Sequence, residues 1–127
     1  MPSAQAPDVV VVDDEPAVVQ AVCDLFTLEG IRAIGCEHAP DAFALICQER
    51  PRLVVLDVHM PGVDGVQIFR LMRANPETLH IPVIFLTGNA YILAQRLSGY
   101  RQMHARLLTK PFALDALLSL VEEMLVP

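Results

Sequence analysis

Asp13-Asp14-Glu15, Asp57, Thr87 and Lys110 are the residues of this 127-residue chain whose types and placement could do chemistry. Each group stands just after a short run of apolar, mostly β-branched residues: "DVVVV" before Asp13, "LVVL" before Asp57, "PVIFL" before Thr87, and "ARLL" followed by Thr109 before Lys110. Clustered carboxylates repel one another and need a counter-charge. A hard divalent cation with oxygen ligands, Mg2+ in particular, is the natural one. A carboxylate beside such an ion can attack a phosphoryl group and become an acyl phosphate. The metal, a hydroxyl and an ammonium then share the phosphoryl oxygens. Lys110 is the only lysine of the chain, the other cations being arginines, and its position before Pro111 suits point-charge contact with phosphate.

These residues converge only if the runs before them are neighbouring strands. The runs at 8–12, 31–35 ("IRAIG", the weakest), 53–56, 82–86 and 105–108 read as strands, and those without alternation as strands buried on both faces. Segments of helical period lie between them. "EPAVVQAVCDLFTLEG" has Val19, Val22, Cys23 and Phe26 on one stripe, Pro16 in its first turn and Gly30 as its stop. "APDAFALICQER" is a second helix, and "GVQIFRLMRANPE" a third, with Val66, Phe69, Leu71 and Met72 on its apolar side and Asn75-Pro76 closing it. "DALLSLVEEML" is the last. Such alternation predicts an α/β, doubly wound, flavodoxin-like five-stranded parallel sheet with helices on both faces, in three α/β/α layers. Ligands of such sheets bind outside the carboxyl ends of the strands, where the chemical residues stand.

Composition narrows the function classes. One domain is expected over 1–127, with its core at about 8–125. The net charge of −6 and the absence of a Lys/Arg cluster argue against direct nucleic-acid binding. No apolar stretch approaches the roughly 20 residues of a membrane span, and "MPSAQAPD" has no export signal, so a cytoplasmic location is expected. Cys23, Cys36 and Cys47 form no CxxC pair and read as buried reduced thiols.

Taken in order, "VVVVDDEP", "LVVLDVHMPGVDG", "PVIFLTG" and "LLTKPF" resemble the signature segments of the response-regulator receiver domains of two-component signalling, and the resemblance covers essentially the whole chain. It implies that Asp57 accepts a phosphoryl group from a histidine of a sensor kinase or phosphotransfer protein. It further implies that Asp14 and Asp57 bind Mg2+ directly, Asp13 through water, and His59 by its backbone carbonyl. Thr87, Lys110 and the backbone N–H of Gly88 would contact the phosphoryl oxygens. The side chains of His59 and Asn89 would tune the rate at which water removes the phosphate. Apart from catalysing its own phosphorylation and dephosphorylation, such a domain is a signalling switch and not an enzyme.

Structural readings stand beside these. Asp13 and Asp14 could cap the first helix, and Asp64 is expected to cap the helix that begins near Gly65. His38, His80 and His104 read as loop or surface residues without metal-ligand spacing. One departure matters: family members carry Tyr or Phe three residues before the lysine, and here that position is Leu107. Tyr100 is near in sequence, with nothing in the sequence to make it a substitute. In the last helix Leu114, Leu117, Leu118 and Val121 are expected to face the core. Ala113, Ala116, Leu120 and Met124 form a second stripe, fitting either a buried helix or a homodimer or output-domain contact across the fourth helix, fifth strand and fifth helix.

Two other functions share these residues. A degenerate receiver that binds partners without phosphorylation would have lost an acid or the lysine, and this chain has them all. A haloacid-dehalogenase-type phosphatase would place a second aspartate two residues after the nucleophile, where this chain has His59.

Overall fold

The computed structural model describes residues 6–126; the first five residues and Pro127, which the expected domain includes, lie outside them. Five strands, β1 (Val9–Val12), β2 (Ala33–Cys36), β3 (Leu53–Asp57), β4 (Val83–Thr87) and β5 (Ala105–Thr109), form one parallel sheet. Its order, β2-β1-β3-β4-β5, reverses direction between β1 and β3. The helices are α1 (Pro16–Leu28), α2 (Ala42–Glu49), α3 (Gly65–Ala74), α4 (Ala90–Arg96) and α5 (Leu114–Leu125), with short 3-10 turns at Ala39–Asp41 and Tyr100–Met103.

Alternation along the central strands sorts the core into two layers. Val10, Val12, Val54, Leu56, Val83 and Phe85 pack under α2, α3 and α4, with Ile46, Phe69, Met72 and Leu93. Val9, Val11, Leu53, Val55, Ile84 and Leu86 pack under α1 and α5, with Val22, Phe26, Leu117 and Val121. All of β1, β3 and β4 is buried, as expected for strands covered on both faces. The edge strand β5 is buried only at Ala105.

Local signals act as the sequence suggests. Pro16 opens α1, and Gly30, just past its end, takes the left-handed φ of +77° that ends a helix without steric cost. Asp64 caps α3 in a reciprocal box: its carboxylate accepts from the Gln67 N–H at 3.0 Å, and the Gln67 side chain accepts from the Asp64 N–H at 2.9 Å.

Several expected placements are corrected. β2 lies two residues later than expected at its start and includes Cys36. Leu71 of α3 and Leu114 of α5 are exposed, because each sits at the edge of its apolar stripe and the helix turns it past the sheet. Of the three cysteines only Cys36 is buried; Cys23 and Cys47 lie half-exposed on the flanks of α1 and α2. The second stripe of α5 is divided: Leu120 and Met124 rest half-buried on the α1/α5 core, while Ala113 and Ala116 are exposed. The helix is therefore not deeply buried.

Arginines of α3 stitch the irregular segment beyond α4 to the rest. Arg73 lies over the Phe69 ring at 4.5 Å and donates to the carbonyls of Met103 and His104. Arg70 donates to the Arg96 carbonyl at 2.8 Å, and Arg96 in turn pairs with Asp64 at 2.6 Å.

Gly65 is the tightest point of this frame. A Cβ there would run into the backbone carbonyl of Asp57, and the Gly65 N–H donates to the Val58 carbonyl at 3.0 Å. Gly65→Ala is expected to lower stability by about 1–3 kcal/mol, because rigid backbone on both sides must give way. Urea unfolding against wild type measures it, and an unchanged midpoint would show that α3 can shift freely.

Candidate functional site

Every sequence-selected acid, the threonine and the lysine end at one edge of the sheet. Asp57 is the last residue of β3 and Asp13 follows β1, with β1 and β3 adjacent and in register from Val9↔Leu53 to Val12↔Leu56. Thr87 ends β4 opposite Thr109 of β5, and the Lys110 N–H donates to the Thr87 carbonyl at 2.7 Å. That bond ties the hydroxyl and the ammonium to one rigid corner. Lys110 and Pro111 are joined by a cis peptide bond.

Asp13, Asp57 and Thr87 are buried, at 0%, 3% and 0% exposure, and Asp14 is half-buried. One carboxylate oxygen from each of Asp13, Asp14 and Asp57 lies within 4.8 Å of the others. An all-oxygen, triply anionic set of this kind fits a hard divalent cation and not a soft one. Lys110 is the one ammonium among them. Its Nζ lies 3.0 Å from Asp13 Oδ2, 3.3 Å from Asp57 Oδ1 and 3.3 Å from Glu15 Oε1.

The imbalance shows in protonation. Burial, and next the charge of Asp13, push the Asp57 carboxyl up to about 7, against the pull of Lys110. Burial works against the Lys110 charge, yet the Asp13 hydrogen bond and the two aspartate charges more than offset it and hold its pKa above the usual lysine value.

The capping alternative for the acidic pair fails. The N-cap of α1 is Glu15, and no side chain caps that helix. Asp13 instead accepts the Glu15 N–H at 3.0 Å, an orientation that keeps its other oxygen on Lys110. Thr87 Oγ1 accepts the Asn89 N–H at 3.0 Å, while the Asn89 side chain caps α4 through the Ile92 N–H at 3.1 Å. The loop from the hydroxyl to α4 is thus a single hydrogen-bonded turn. Gly88 is exposed, with nothing within 4 Å of where a Cβ would stand, so packing within the chain does not demand glycine there. His59 is exposed two residues past Asp57, and His38, His80 and His104 are exposed in loops and turns.

Two contacts depend on the fold alone. Glu15 is the third carboxylate on Lys110, and only the fold brings a helix N-cap against the end of β5. Tyr100 places its ring edge-on to Phe85, with centroids 6.3 Å apart at 88°. Phe85 is paired in register with Leu107, and both Tyr100 and Leu107 pack against the core that contains Phe85. An aromatic seven residues before Leu107 was visible, but its direction depends on the 3-10 turn that begins at Tyr100.

Residues 9–122 match the family model described as the response regulator receiver domain. This chain belongs to that family. The receiver is 32% identical to the protein PilH of Pseudomonas aeruginosa over 117 residues, covering 92% of this chain and 96% of PilH. It is 37% identical to the response regulator FleR of the same organism over 91% of this chain, but over only 24% of FleR. It spans about half of the response regulator MprA of Mycolicibacterium vanbaalenii. Its structure resembles the receiver domain of the Francisella response regulator 1452, with a TM-score of 0.81 and 27% identity over 94% of this chain and 96% of that one. The fold is that of the chemotaxis protein CheY4 of Vibrio cholerae, also with a TM-score of 0.81. Receiver domains are signalling domains that work with histidine kinases or phosphotransfer proteins and generally depend on Mg2+. Among the described residues no helix is long and apolar enough to cross a membrane.

The protonation of Asp57 has a measurable consequence. Between about pH 4 and 7 the folded metal-free receiver holds a proton on Asp57 that the unfolded chain has lost, so this residue reduces stability as pH rises through that window. Asp57→Asn is therefore expected to match wild type near pH 4 and to exceed it by on the order of 4 kcal/mol above pH 7. Denaturant unfolding in EDTA across this range checks it. An advantage that does not grow with pH would show that Asp57 is not the strained carboxyl.

Proposed function

We propose that this receiver is a phosphorylation-controlled switch whose phosphoryl acceptor is Asp57. The observation that carries the reading is the convergence of the Asp57 carboxylate, two further aspartates, the Thr87 hydroxyl and the Lys110 ammonium at the strand ends, two of the aspartates and Lys110 within hydrogen-bond or ion-pair reach. An Asp57 oxygen attacks the phosphorus of a phosphohistidine. The phosphorus–nitrogen bond breaks, the imidazole leaves with its electron pair and takes a proton, and an acyl phosphate remains on Asp57. Water attacking the same phosphorus later restores the carboxylate and releases inorganic phosphate.

Asp14 and Asp57 would hold Mg2+ directly, Asp13 through water and His59 by its backbone carbonyl; when bound, the ion neutralises charge on the phosphoryl oxygens. Lys110 supplies a fixed positive charge at that edge, already drawn toward Asp57. Gly88 leaves room for a phosphoryl oxygen at its N–H. Thr87 donates its hydroxyl to another, and since its Oγ1 also holds the Asn89 N–H, movement of the hydroxyl carries the start of α4 with it. His59 and Asn89, exposed on either side of Asp57 and Thr87, stand where they would regulate the approach of water.

An open apolar groove between α1 and the start of α5, lined by Ala17, Val18, Ala21, Pro111 and Phe112, runs up to Lys110. A helix of the kinase or phosphotransfer protein seated there would bring its histidine to Asp57. Output would leave through the α4–β5–α5 face to a further domain or a second copy, with Tyr100 in contact with Phe85 providing the aromatic contact that Leu107 lacks.

Intact-mass spectrometry after incubation with Mg2+ and acetyl phosphate tests the acceptor. One added phosphoryl group, labile to base or hydroxylamine and absent from Asp57→Asn or after EDTA, is the expected result. No modification and no donor hydrolysis would leave the degenerate, phosphorylation-independent module, and sustained turnover would favour a phosphatase. Lys110→Ala is expected to accept the group at a rate lowered at least about tenfold, as loss of a charge-assisted contact worth roughly 1.5–3 kcal/mol implies. It should also fail to shift the amide resonances of α4, and an unaltered shift would contradict the role given to Lys110.

A further inference from the structure

We propose that Glu15 is a positioning residue that tethers the Lys110 ammonium in the resting receiver and releases it when the phosphoryl group arrives, an inference that rests on the acceptor reading of Asp57. An ammonium has three N–H donors. Three carboxylates lie within reach of that of Lys110: Asp13 at 3.0 Å, Asp57 at 3.3 Å and Glu15 at 3.3 Å. Phosphorylation removes the Asp57 carboxylate charge and sets phosphoryl oxygens beyond it, so the ammonium must move outward to follow them, and one of its two other contacts gives way.

Their surroundings decide which. The Asp13 side chain is wholly buried, so it finds no water to replace the ammonium, while the Asp57 contact passes to the phosphoryl group that Asp57 then carries. The Glu15 side chain is 63% exposed, and water takes over at little cost. Glu15 also serves no competing local purpose. It occupies the N-cap of α1 without capping the helix, and it stands outside the three-carboxylate cluster of Asp13, Asp14 and Asp57. Its backbone N–H meanwhile donates to Asp13 Oδ1 at 3.0 Å, so one residue orients both Asp13 and Lys110. The tether therefore favours the resting state, and its removal should make the phosphorylated arrangement easier to reach.

Because Lys110 is the only lysine, lysine labelled with carbon-13 at Cε gives a single reporter signal. The full chain would be titrated with beryllofluoride, a phosphoryl mimic, in excess Mg2+. Glu15→Gln is expected to move the free-state signal, to leave the saturated signal where wild type has it, and to lower the half-saturating concentration about 2–5-fold, the range of an exposed ion pair. Raising KCl to about 1 M should close that gap by screening. Glu29→Gln makes the same charge change at the far end of α1 and should do neither. An unmoved free-state signal and midpoint in Glu15→Gln, or equal effects from Glu29→Gln, would overturn the tether while leaving the acceptor reading intact. A wild-type receiver that never responds to beryllofluoride would overturn both.

Discussion

Too much negative charge in too little water is the constraint on which this receiver is built. Asp13 and Asp57 are buried within one ion pair's reach of the same ammonium, with Asp14 beside them. Buried charge is tolerated only when paired, and an acidic cluster answered by one lysine stays under-compensated. The displaced protonation of Asp57 is the signature of that state. A cation entering such a site would relieve that repulsion, so the same tension that lowers the stability of the metal-free domain would favour a hard divalent ion.

Holding such a cluster together requires a stiff frame, and the sheet provides one. β1, β3 and β4 are fully buried, and their carboxyl ends are locked by backbone bonds such as Val58 N–H to the Leu86 carbonyl at 2.9 Å and Lys110 N–H to the Thr87 carbonyl. Gly65 lets α3 approach the Asp57 backbone so closely that this residue has no slack on that side. Asp64 extends the frame outward. Partial burial works against its charge, but the Arg96 hydrogen bond, the largest opposing influence, and the N–H groups of Gln67 and Val66 hold its pKa below the usual value. One carboxylate thus joins the start of α3 to the end of α4.

Against that frame, the corner made by Thr87, Asn89, α4 and the turn at Tyr100 is lightly anchored. α4 has seven residues and buries only Leu93, and its attachments are polar contacts from Arg70, Arg96 and Asp64. Tyr100 and Leu107 pack on the same side of the sheet as Phe85. A rigid acidic cluster beside a lightly anchored helix is the physical arrangement in which a local change of charge can become a change of shape.

The sequence alone established the succession of the five strands and of α1, α2, α3 and α5, the burial of the central strands, the cap at Asp64, and which residues follow each strand, but not the seven-residue α4. Those features depend on local periodicity and turn chemistry, which a single chain displays directly. It also marked Asp13, Asp14, Asp57, Thr87 and Lys110, because a parallel sheet must bring the ends of its strands to one edge. Tertiary structure decided the rest. Leu71 and Leu114 belong to apolar stripes, yet the rotation of their helices exposes them. Glu15 is only the last of three acids after β1 until β5 delivers Lys110 to it, and Tyr100 looks like a loop residue until a 3-10 turn sets its ring against Phe85. Contacts between segments about a hundred residues apart have no local signature; they exist only because the sheet fixes where each segment ends.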